Sequence, residues 1–215
     1  MEYRCVTASI EGFVQYLAAN LLPSGYWFYV TGWVPEHKNV EAVDGKLLAK
    51  YDIATSRQQR ARRKRAGFAN VHYLRCGRFF LLIATHGQHN FFGEEGPAVR
   101  DIRRVSAAVE NYSISYRRGG FKRRMKGNRA EKDNRWHARV RICRRCYLEL
   151  KAFFLDAATR LSAERLVDEF QNVPFEPYAP VRQQLFNILR LVNKARRTAN
   201  LERVPSSAIR CRRRI

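Results

Sequence analysis

Two histidines three residues apart, His86 and His89, follow a continuous apolar run and precede Glu94, Glu95 and Asp101. Two imidazoles and a carboxylate can hold a divalent ion such as Mg or Mn and orient a phosphodiester, which makes His86, His89 and Glu94 candidate metal ligands. Downstream, Tyr147 carries a phenol that could serve as a nucleophile. Cys143 and Cys146 have the spacing of half a zinc site. With no second Cys-x-x-Cys, zinc is not expected there, although neighbouring arginines should lower the pKa of both thiols. The chain contains no Gly-rich phosphate loop and no Gly-x-Ser-x-Gly elbow. Carboxylates are scarce after Lys50, which leaves few for a nuclease that needs three of them.

The larger signal is charge. The 215 residues carry 41 Lys+Arg against 19 Asp+Glu, a formal net charge of +22. Residues 1–50 hold four basic side chains (Arg4, Lys38, Lys46, Lys50) and five acidic ones (Glu2, Glu11, Glu36, Glu41, Asp44), a balance of −1, so the remainder carries +23. Self-repulsion on that scale opposes compaction and is relieved by a polyanion, of which nucleic acid is the commonest. Arginine dominates the basic segments, and its planar fork grips phosphate bidentately where lysine cannot.

Four segments carry the surplus. The first is Arg57, Arg60, Arg62, Arg63, Lys64 and Arg65, predicted as a helix capped by Thr55 or Ser56 and stopped by Gly67. Such a helix carries almost nothing apolar, so it is either solvent-bridging or held by a partner, and its charge names a phosphate backbone as that partner. The second is a hairpin with its basic loop, spanning Arg117, Arg118, Lys122, Arg123, Arg124, Lys126, Arg139 and Arg141. The third, on a long helix starting at Pro180, is Lys194, Arg196 and Arg197, and the fourth is the tail Arg212, Arg213 and Arg214. Phe121 and Trp136 flank the loop and could stack on unpaired bases. Tyr112 and Tyr116 are expected to fill the sheet core.

The elements that must position these groups follow from periodicity. Residues 10–21 read as an amphipathic helix, 26–34 as an aromatic central strand, and 39–50 as a helix burying Val40, Val43 and Leu47. Strands are expected over 70–76 and 78–85, the latter buried on both faces. Gly93 to Pro97 reads as a turn, with Pro97 starting a helix through Ala108. Residues 112–117 and 136–142 alternate as a hairpin, and 118–135 read as a mobile basic loop. From Arg144 the pattern is helical. The expected fold is α+β, an antiparallel or mixed sheet backed by helices. Residues 1–143 would form the core, and 144–215 a helical, basic C-terminal region.

The order of Phe28-Tyr29-Val30-Thr31, then His86 and His89, then Tyr147 with Lys151 one turn on, resembles the layout of HUH endonucleases. That resemblance implies nicking of single-stranded DNA, with histidines holding a metal and a tyrosine as nucleophile. The departure is that His-x-x-His replaces His-hydrophobe-His; residues three apart on a strand point to opposite faces.

Two readings result. The preferred one is a non-catalytic nucleic-acid-binding protein, accessory to a mobile element, replicon or ribonucleoprotein, with DNA named ahead of RNA. The other is a metal-dependent or HUH-like nuclease or strand-transfer enzyme. Five cysteines, no signal peptide and no long apolar run suggest a cytoplasmic or nucleoid-associated protein with no membrane partner.

Overall fold

The computed structural model describes residues 3–119, 122–123, 131–132 and 134–211, and the architecture is α+β. The chain divides into two compact units, Met1–Val109 with Ile114–Arg139, and Glu110–Ser113 with Val140–Ile215.

In the first unit, Ser9 caps α1 (Ile10–Tyr16) by accepting the Gly12 amide at 3.1 Å, and a π-turn over Leu17–Leu21 extends it. There follow β1 (Tyr26–Trp33), α2 (Val40–Lys50), α3 (Arg57–Arg65), β2 (Val71–Cys76), β3 (Phe79–Thr85), α4 (Asn90–Glu95) and β4 (Arg100–Asp101). The four strands form an antiparallel sheet in the order β2-β3-β1-β4. Strand, helix, hairpin, helix, strand in that order is the split-βαβ, ferredoxin-like arrangement. Here α1 precedes it and α3 is inserted ahead of β2.

Both faces of this sheet are covered, which explains why β3 is apolar without alternation. Val71, Tyr73, Leu82 and Ala84 pack with Tyr51, Ile53 and Phe91. The two-residue period sends His72, Leu74, Leu81 and Ile83 to the opposite face. There α1 lies against β2, with its Phe13 ring 5.7 Å from Phe79.

The apolar face expected of α2 is only partly so. Val40, Val43 and Leu47 are half-buried, and the buried residue among them is Asp44. Its carboxylate accepts Arg75 Nε at 2.9 Å on both oxygens, Arg75 Nη2 at 2.8 Å and the Tyr73 hydroxyl at 2.6 Å. The Cys5 thiol donates at 3.8 Å. A carboxylate on the inner face of α2 is thereby tied to β2.

The helix expected from Pro97 to Ala108 does not form. Gly96–Ala98 is a single 3-10 turn; then Arg100 and Asp101 pair with Tyr29 and Phe28, and Ile102 is buried. β5 (Ala107–Val109) buries alternate residues, and the β-branched Val99, Ile102, Val105 and Val109 favour extended chain. The turn read at Gly93 to Pro97 is partly helical, because α4 runs through Glu95.

A second sheet joins β5, β6 (Tyr112–Arg118) and, after β7 (Lys122–Arg123) and β8 (Glu131–Lys132), β9 (Trp136–Ile142), in the order β5-β6-β9. β6 and β9 run from one unit into the other. Of the segment expected as a mobile loop, β7 and β8 are an antiparallel pair, and Phe121, Arg124 and Lys126 lie outside the described residues.

The second unit contains α5 (Arg144–Ala157), α6 (Ala163–Asn172) and α7 (Ala179–Thr198), with Ser162 capping α6. Val181, Leu185, Ile188, Leu189 and Val192 form the buried stripe of α7, as their spacing predicts.

Replacing Asp44 with alanine leaves the Arg75 guanidinium and the Tyr73 hydroxyl buried without their acceptor. Urea unfolding should show a loss of about 3–5 kcal/mol, the usual consequence of breaking one side of a buried pair. A loss below about 1 kcal/mol would mean that Arg75 finds solvent or another acceptor.

Candidate nucleic-acid interface

α3 places six cations in nine residues, and none of its residues is buried. It forms because Ser56 and Gln59 make a reciprocal capping box, and it ends where Gly67 takes φ +83°. The basic residues of its last turn lie beside the negative end of the helix dipole. Arg60 and Arg63, half-buried, attach the helix to its surroundings. Arg60 Nη1 donates to the Thr55 carbonyl at 2.8 Å, and Arg63 pairs with the Asp52 carboxylate and donates to the Asp52 carbonyl at 3.1 Å. The exposed Arg57, Arg62, Lys64 and Arg65 show no hydrogen bond or ion pair of their side chains among the described residues.

Beyond α3 the chain is stitched to the end of β3. Gln88 N–H donates to Gly67 O at 3.0 Å, and Ala69 N–H donates to Gln88 O at 3.0 Å. Gly87 is required here: its φ is +136°, and a Cβ would fall 2.5 Å from the Ala69 nitrogen. This junction holds α3 over the ends of three strands, where β1 begins with Tyr26, β2 is entered through Asn70, and β3 ends with Thr85. The β1–β3 register shifts between Tyr26 and Phe28, a bulge of the kind common beside functional sites.

Between α3 and those strand ends lies a cavity of about 520 Å³. Arg57, Arg60 and Lys64, spaced three and four apart, line it from one face of the helix. Opposite them are Tyr16, Tyr26, Asn70 and His72. The His72 ring meets Tyr16 and Tyr26 edge-on, at 5.7 and 5.9 Å between centroids. Its Nδ1 is hydrogen-bonded to the Tyr3 hydroxyl, and its Nε2 is 3.3 Å from the Tyr16 hydroxyl. Burial lowers the His72 pKa to about 4, with the Arg60 charge adding in the same direction, so the ring is neutral at neutral pH. Burial also raises the pKa of Tyr26. The cavity thus has a cationic rim and an uncharged aromatic floor.

The other expected contact residues separate by what they touch. Arg117 donates to Arg104 O at 2.9 Å, Arg118 to Asn134 O at 3.0 Å, and Arg139 to Gly119 O at 2.7 Å, so each spends part of its fork on the backbone. Arg141 is exposed, as is Trp136. Trp136 stacks on Tyr116 at 5.5 Å, Tyr116 on Trp27 at 6.4 Å, and the Arg103 guanidinium sits 4.2 Å over Trp27. Of Lys122 and Arg123 only the backbone is described, and Arg212, Arg213 and Arg214 lie outside the described residues.

In the second unit, Arg190, Lys194 and Arg197 share one face of α7 and, with Arg203, line a cleft of about 840 Å³. Arg196, expected among these contacts, is not part of that face and has a structural role instead. It lies four residues after the buried Val192, is 2% exposed, and donates to the Ala158 and Leu161 carbonyls at 2.7 Å and to Glu202 O. The helical period placed it on the apolar stripe from the start.

The metal candidates of the first unit each meet a different partner. His86 is exposed, 6.4 Å from the Phe28 ring, whereas His89 caps α4, its Nδ1 accepting the Phe91 amide at 3.0 Å. Burial, then the Arg63 charge, lowers the pKa of His89. Glu94 pairs with Lys50 at 3.0 Å. Among the described residues no group of three or more His, Cys, Asp and Glu is placed to hold a metal ion. Tyr147 belongs to the second unit, so neither unit alone assembles His86, His89 and Tyr147. Cys143 caps α5, accepting the Cys146 amide at 3.4 Å, and Cys146 donates to Asn111 Oδ1 at 3.3 Å. Burial raises the Cys146 pKa, against the lowering expected from nearby arginines.

No known protein family, curated protein or solved structure matches this chain. Among the described residues no helix is long and apolar enough to cross a membrane.

Two outcomes follow from this geometry. Below pH 6.5 the unfolded chain binds a proton that folded His72 refuses until about pH 4, so stability falls with pH across that window. The loss is on the order of 3 kcal/mol. Urea denaturation at several pH values should show a shallower fall for His72→Gln than for the wild type, and equal slopes would contradict a neutral buried ring. Separately, Arg196→Ala should lower stability by about 3 kcal/mol by orphaning buried carbonyls, whereas Lys194→Ala should stay within about 0.5 kcal/mol in thermal melts.

Proposed function

We propose that this protein binds nucleic acid through its phosphate backbone, with α3 as the principal contact element. The observation that carries this reading is the state of that helix: six cations in nine residues, none buried, and four exposed without a protein partner among the described residues. A helix with no fully buried residue that repels itself gains from a neighbouring polyanion what it lacks from a core. The cationic cleft of α7 offers a second stretch of phosphate contact, and the Trp136 stack offers a surface for an unpaired base.

The experiment is salt-dependent binding of a single-stranded and a duplex oligonucleotide, comparing the wild type with a variant in which Arg57, Arg62, Lys64 and Arg65 are all alanine. The slope of log affinity against log salt should fall by about 0.7 per contact on single strands and about 0.9 on duplex, so by about 2.8 and about 3.6 for the four residues. Alanine is a better helix former than the residues it replaces, so a melt should show the fold intact. An unchanged slope would remove α3 from the interface.

A further inference from the structure

We infer that the cavity beneath α3 is a nucleotide pocket, holding a phosphate at Arg57, Arg60 and Lys64 and a hydrogen-bond donor of the nucleoside at Asn70. The inference rests on the nucleic-acid reading and names the part of the polymer that this site takes.

Its basis is an unmatched polar group. Asn70 is 4% exposed, and its backbone and amide nitrogens are used, the N–H donating to Thr85 Oγ1 at 2.9 Å and Nδ2 to Arg60 O at 3.0 Å. Those bonds set the orientation of the amide. Its Oδ1 is left buried with no donor, on a residue that lines the cavity. An orphaned buried acceptor is costly and calls for a specific partner. Water aside, the partner must bring an N–H or O–H.

The polarity of the remaining walls fits one class of molecule. Three cations on the rim suit an anion, and the uncharged floor of His72, Tyr16 and Tyr26 suits a flat neutral group. A charged ligand without a neutral body would leave that floor and Asn70 unused. A volume of about 520 Å³ falls in the range of roughly 300–1,000 Å³ typical of small-molecule sites. A nucleotide combines an anionic phosphate with an aromatic base that bears N–H donors.

Ala61 lines the cavity from α3 between Arg60 and Arg62, and it is exposed. Ala61→Phe therefore fills the cavity without removing a cation. Isothermal titration should show saturable binding of nucleoside monophosphates to the wild type, with inorganic phosphate and the matching nucleosides binding at least tenfold more weakly. Ala61→Phe should weaken the monophosphates at least tenfold while the salt slope for duplex stays as in the wild type. Inorganic phosphate binding as tightly as the monophosphates would overturn the inference, leaving a plain anion site. So would monophosphate binding indifferent to Ala61→Phe, or none at all. If duplex binding keeps its salt slope in those cases, only the pocket is lost; if no polyanion binds, the parent reading falls with it.

Discussion

The first unit depends on one buried ion pair. Asp44 on the inner face of α2 and Arg75 on β2 meet through three short contacts, closed off by Tyr73 and Cys5. Taking two charges out of water is costly, and the cost is offset only where geometry and added hydrogen bonds are this complete. The pair joins the element before α3 to the strand after it. The chain between them, Tyr51 to Asn70, is therefore anchored at both ends by the core, with Tyr51, Ile53 and Ala69 buried. α3 needs no apolar face of its own because its two flanks supply the burial.

That arrangement leaves α3 free to be polar at every position but Ala61. It is attached by three polar links (Arg60 to Thr55, Arg63 to Asp52, and Asn70 to Arg60) and by the backbone junction around Gly87. Elements held this way, with few buried contacts, open more readily than the sheet beneath them. The same placement gives the cavity its two-sided character. Cations come from an exposed helix, and the uncharged floor comes from the end of α1 and a sheet face whose burial forbids His72 a charge.

Much of the architecture was legible in residue order, and the failures have physical causes. Amphipathic periodicity gave α1 and α7, and the unbroken apolar run Phe79 to Ala84 gave a strand covered on both faces. The cap signal at Thr55 or Ser56 and the stop at Gly67 gave α3, and Ser56 is the residue that caps it. Pro97 misled because a proline that suits a helix start also suits a single turn, and the β-branched residues after it pair with β1 instead. Arg196 was grouped by composition when its period already set it among buried side chains. Asp44 was hidden because its partner lies 31 residues away. The cavity was not legible, since Tyr16, Tyr26, Asn70 and His72 become neighbours only through sheet order and the packing of α1 on β2. His86 and His89 drew attention by spacing, yet a helix cap accounts for one and a ring contact for the other.

Hydrogen–deuterium exchange tests the proposed contact between α3 and nucleic acid without altering a residue. In the free protein the amides of residues 57–66 should exchange much faster than those of β2 and β3. With a saturating single-stranded oligonucleotide at low salt they should slow more than those of any other segment of the first unit. The slowing should vanish on raising the salt. Slowing confined to other segments, with residues 57–66 exchanging as in the free protein, would contradict the account.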